Sequence, residues 1–192
     1  MVQVDLPFTF GVGSLFASAV EQGLRSERAA YFYQRGLAAN LVFQLFLVIW
    51  LPVYLLVTQF GFQTSHMWWH GDSIADYPWL LPAFIVSYFI ANIGGYHTGV
   101  QLVRRGHART ARMIFVVAFA FFFAWMAVQP GRTLVLGTYS EWKGGLARPI
   151  TSDPAFVALL GAAFVLFFAV LWPLYRTLQH EATRAASDRV YR

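Results

Sequence analysis

The chain has 192 residues, of which 58% are hydrophobic, 18% aromatic and 12% charged; soluble domains carry roughly 25% charged residues, so the composition points to a single domain whose solvent is a lipid bilayer. It contains no cysteine, which excludes disulfides, thiolate metal sites and cysteine nucleophiles. The net charge of +5 follows from where the arginines fall and needs no nucleic-acid partner.

The charges lie between long apolar runs that are continuous rather than alternating, and a chain in lipid satisfies its backbone by forming helices. The predicted fold is therefore an all-α integral membrane protein, a five-transmembrane-helix bundle over residues 1–178. Its spans are at about 6–24, 37–60, 79–103, 112–129 and 154–176, with outer connections 61–78 and 130–153 and a basic cytoplasmic tail, 179–192. Each span is close to the roughly 17–25 residues needed to cross hydrocarbon. Arg25, Arg28, Arg35, Arg104, Arg105, Arg109, Arg112, Arg176, Arg184, Arg189 and Arg192 fall on one side, and only Arg132, Lys143 and Arg148 on the other. The positive-inside rule then places the N-terminus outside and the C-terminus in the cytoplasm, as expected in a bacterial inner (plasma) membrane.

The first span is rich in small residues. Gly11, Ser14 and Ser18 recur at spacings of three and four and form a narrow face for close helix packing. Ala17-Ser18-Ala19 resembles a signal-peptidase site, but residues 1–10 contain Asp5 and no Lys or Arg, so the span reads as uncleaved. The second span is bulky, with Pro52 inside it as an expected kink.

The third span is the most polar. Ser87, Asn92, Gly94, Gly95, His97, Thr98, Gly99 and Gln101 lie in it, mostly in its inner half, and this makes it the expected central helix, with Gly94 and Gly95 as packing residues. The fourth is aromatic nearly all round and is the expected lipid-facing helix. The fifth begins at Ser152-Asp153-Pro154, a helix-start signal, and closes on Trp172, Tyr175 and Arg176, an interfacial anchor of aromatics and a cation. Within the connection before it, "TLVLGTY" has strand-like content.

Three groups of residues could carry function. His66 and His70, four apart, with Asp72 and Asp76 nearby, have ligand types suited to an outer-face Zn or Cu ion. They lack the glutamate of an HExxH motif, and Trp68, Trp69, Tyr77 and Trp79 among them match an interfacial aromatic belt. A second group, Gln44, Ser87, Asn92, His97, Thr98 and Gln101, marks a polar path or ligand cleft; its structural counterpart is interhelical hydrogen bonding. The third is His97 as a cofactor ligand shared with a partner chain. No second histidine lies at matching depth on a facing span, which argues against a bis-His haem within this chain.

No charged residue lies deep in a span, which disfavours ion coupling through buried carboxylates, and no catalytic arrangement is found. The expected function is thus a non-catalytic integral subunit of a larger membrane complex, with lipid and other membrane subunits, or further copies of itself, as partners. The alternative is a small channel or a binder of an apolar ligand such as lipid, quinone or pigment. A metal-dependent activity at the outer face comes third.

Overall fold

A computed structural model describes residues 5–61, 80–136 and 154–187. These residues are helical apart from short turns, and no strand occurs among them. In chain order the helices are α1 (Asp5–Ala19), a short α2 (Glu21–Leu24), α3 (Ala29–Gly61), α4 (Leu80–Arg104), α5 (Ala108–Leu136) and α6 (Pro154–Ser187).

The central position, expected for residues 79–103, belongs to α1. Thr9, Val12, Ser14, Phe16, Ala17, Ser18 and Ala19 are all buried, and α1 touches each of the four long helices. Size explains the choice. Gly, Ala and Ser let neighbouring backbones approach on several sides at once, whereas α4 exposes His97, Thr98 and Gln101 on its far face.

α1 and α4 run parallel and in close contact. Phe10 faces Gly95, Gly13 faces Tyr96, and Ser14 and Ala17 face Gly99. A Cβ at Gly95 would overlap the Phe10 carbonyl, and one at Gly13 would overlap the Asn92 carbonyl. α5 runs antiparallel to α1 on another side, where Gly11 meets Phe115 and Ala118 and the Ser14 hydroxyl donates to the Ala111 carbonyl at 2.9 Å. Phe8 closes that seam with Phe115, Phe119 and Phe122. α3 and α6 complete the wall through Phe43, which packs on Phe16 and edge-on against Phe167.

The first apolar run does not continue as one helix to residue 24. It breaks at Val20, and the four-residue α2 follows. At 1.5 Å per residue the 15 residues of α1 cover about 22 Å, less than the roughly 30 Å of a hydrocarbon core.

α4 ends in a glycine-capped turn: His107 N–H donates to the Leu102 carbonyl at 2.8 Å and Gly106 N–H to Val103 at 3.0 Å. Gly106 sits at φ 85°, a left-handed position that costs a residue with a Cβ about 1–2 kcal/mol. This tight turn sends α5 back antiparallel.

α6 continues through Pro173 to Ser187, so residues 179–187, expected in a tail, extend the helix along the bundle. Phe167, Leu171, Tyr175, Leu178 and Ala182 form its buried stripe at helical spacing. α5 likewise runs past Pro130 to Leu136, making residues 133–136 helical where strand content was expected.

Antiparallel packing collects the arginines at one end. Glu21 pairs with Arg25 at 3.0 Å and Arg112 at 3.7 Å, tying α2 to α5. Arg35 pairs with Glu181 at 3.3 Å, tying α3 to α6. By length and composition, one helix among the described residues is able to cross a bilayer, Ala29–Ile49, where five were expected; Leu6–Ala19 is apolar but shorter.

Candidate functional site: a buried amide cluster and a polar cleft

The residues of the expected polar path separate into two places. Asn92 on α4 and Gln44 on α3 are fully buried. His97, Thr98 and Gln101 are exposed on the opposite side of α4, and Ser87 is half-buried.

In the interior, Asn40 joins Asn92. Asn40 Nδ2 donates to Asn92 Oδ1 at 2.6 Å, and Asn92 Nδ2 donates to Asn40 Oδ1 at 3.2 Å. The same Asn92 Nδ2 also donates to the Thr9 carbonyl at 3.2 Å. Three helices, α1, α3 and α4, therefore meet at one amide pair, and the close approach at Gly13 lets Asn92 reach the α1 backbone. Sequence reasoning missed Asn40, although its signal was present: it is the one asparagine of α3 and stands a single turn before Gln44.

Gln44 differs from its neighbour. Its side chain is fully buried, and neither its amide nitrogen nor its oxygen has a hydrogen-bond partner among the described residues. A buried amide left this way costs about 1–3 kcal/mol.

The second place is a cleft of about 410 Å³ between the first turns of α3 and the last turns of α4. Tyr33, Gln34, His97, Gln101 and Arg104 line it, with Val100 in its wall. Its geometry is held from beneath. Fully buried Tyr96 donates its hydroxyl to the Tyr33 carbonyl at 2.7 Å, a reach that the missing side chain of Gly36 leaves open. Tyr33 in turn hydrogen-bonds through its hydroxyl to His97, 3.0 Å from Nδ1. The Tyr33 ring meets Tyr96 edge-on, with centroids 5.6 Å apart. Among the described residues the ion pairs are those of Glu21 with Arg25 and Arg112 and of Glu181 with Arg35, and none includes Arg104.

The packing residues also diverge. Gly11, Ser14 and Gly95 lie at the helix contacts described above. Ser18 is buried and donates within its own helix to the Leu15 carbonyl at 2.7 Å. Gly94 points away from the tight contact, with its nearest neighbour, Phe10 Cε2, 4.0 Å from where a Cβ would lie. Gly13 and Gly99 make the close approaches instead. His66, His70, Asp72 and Asp76 lie outside the described residues; within them, no three of His, Asp or Glu gather as a metal site.

At the foot of α6, Trp172 stacks on Tyr175, and the Arg176 guanidinium sits 5.5 Å from the Trp172 ring centre. No protein family, curated protein or solved structure matches this chain, so the two clusters are read from their own chemistry.

Proposed function

We propose that the chain is an integral membrane protein of five apolar helices that packs, without chemistry of its own, as a subunit of a larger membrane complex. The observation that carries this reading is the outward surface of the four long helices. Val42 and Ile49 on α3, Ile90 on α4, Val117 on α5 and Val165 on α6 are between 60% and 71% exposed. Apolar surface on every side of a bundle is the pattern expected where lipid or neighbouring subunits replace water.

Charge supports an orientation. The arginine-rich end gathers the start of α3, the α4–α5 turn and the foot of α6, and under the positive-inside rule it faces the cytoplasm, leaving the N-terminus outside. In a bacterial inner membrane, anionic headgroups would neutralise the arginines that no glutamate engages. Among the described residues the buried polar ones, Thr9, Ser14, Ser18, Asn40, Gln44 and Asn92, are all neutral, which suits a packing role better than proton or sodium coupling.

A binder of an apolar ligand is the second reading. It is favoured by an open groove of about 440 Å³ where α1 meets α5, walled by Pro7, Phe10, Met113, Ile114, Val117 and Phe121.

The experiment is extraction followed by native electrophoresis. The chain is expected to stay in the membrane pellet through alkaline carbonate and, in mild detergent, to migrate well above a single 21.7 kDa chain. Release by carbonate would sink the membrane reading. A detergent-solubilised monomer would sink the subunit reading alone.

A further inference from the structure

We infer that the cleft between the first turns of α3 and the last turns of α4 binds a phosphate group, carried by an anionic lipid or free in solution. The lipid source rests on the membrane reading above; the phosphate chemistry does not.

Beside the apolar side chains of Ala30 and Val100, the cleft presents a set of hydrogen-bonding groups. Arg104 offers a planar guanidinium suited to a phosphate oxygen pair, Gln34 and Gln101 offer two amide groups, and His97 adds its imidazole. A carboxylate has two oxygens to share among these groups, whereas a phosphate group presents more acceptors together with negative charge. Arg104 is available for such a ligand, because none of the ion pairs among the described residues includes it.

The site is also built on rigid elements. Tyr96 fixes the α3 backbone at Tyr33, and Tyr33 holds the His97 ring, so the ordering of these groups precedes binding. Placement agrees with the lipid source. The cleft opens where the apolar outer faces of α3 and α4 give way to the arginine-rich end, the level at which a headgroup phosphate stands if the bundle is in a bilayer.

The test uses the full chain in two arms. In the first, it is placed in phosphatidylcholine nanodiscs doped with phosphatidylglycerol, and lipid retention is measured by native mass spectrometry. In the second, inorganic phosphate is titrated into the detergent-solubilised protein and the melting temperature is followed. Arg104→Gln and, separately, His97→Ala are expected to weaken binding about tenfold in at least one arm. Both side chains are exposed, so helix content by circular dichroism should be unchanged. Arg109→Gln, outside the cleft, should bind as the parent does.

Dependence on the cleft residues in the nanodisc arm supports the inference and assigns the ligand to lipid. Dependence in the phosphate arm alone supports it and assigns free phosphate. Equal weakening by Arg109→Gln, or no weakening by either cleft variant in both arms, overturns it. A chain that does not enter nanodiscs removes the membrane reading, and the phosphate arm then decides the cleft by itself.

Discussion

Asn40 and Asn92 exchange two hydrogen bonds across the α3–α4 contact at the fully buried centre of the bundle. Each amide satisfies the other, so removing one strands its partner. Asn92→Leu is expected to cost about 1–3 kcal/mol, the penalty of a buried amide without a partner, seen as a lower melting temperature in detergent. The double variant Asn40→Leu with Asn92→Leu should cost clearly less than the two singles combined, because no orphan remains. Simple additivity of the singles would mean that the pair is uncoupled.

Gly95 and Gly94 are neighbours in sequence with opposite surroundings. A methyl at Gly95 would overlap the Phe10 carbonyl of α1, while one at Gly94 meets nothing nearer than 4.0 Å. Gly95→Ala should therefore force α1 and α4 apart and destabilise the fold by about 1–3 kcal/mol or more. Gly94→Ala should be neutral or slightly stabilising, since alanine is the better helix former. Equal melting temperatures for the two variants would contradict the register of the α1–α4 contact.

These two cases show what is legible in sequence and what is not. Apolar runs and the distribution of arginines are local patterns, and they place the helices and the arginine-rich end. Which helix occupies the centre depends on how several faces match at once. Polar content suggested residues 79–103; the small side chains of α1 prevail because close backbone approach on many sides favours them, while His97, Thr98 and Gln101 turn outward. A run of glycines predicts close packing, but a rotation of about 100° per residue separates Gly95, in contact, from Gly94, out of it. Tyr33 and Tyr96 were invisible as partners because their meeting depends on the antiparallel register of α3 and α4.

Gln44 has a full set of donors and acceptors enclosed without a partner among the described residues. Replacing it with an apolar residue of similar size removes the desolvation cost, so Gln44→Leu should raise the melting temperature, by roughly 1 kcal/mol of stability. The measurement becomes more informative when joined to assembly. If the chain assembles as proposed, a variant that is more stable yet no longer migrates above the single chain would identify Gln44 as a group retained for function at the expense of stability. A loss of stability instead would mean that the amide has a partner that Leu cannot replace.

Orientation can be tested directly because the chain has no native cysteine, so any introduced thiol is unique. Arg105 stands beside the Gly106 turn at the arginine-rich end, and Ser140 lies in the connection between α5 and α6. If the bundle sits in a bacterial inner membrane with its arginines inside, an impermeant maleimide applied to cells with a permeabilised outer membrane should label Ser140→Cys at once. It should label Arg105→Cys only after the inner membrane is lysed. The inverse pattern would reverse the topology, because positive charge would then lie on the translocated side. Immediate labelling of both positions in sealed cells would mean that no bilayer separates them, and the exposed apolar faces of α3 to α6 would then have to be covered by protein instead of lipid.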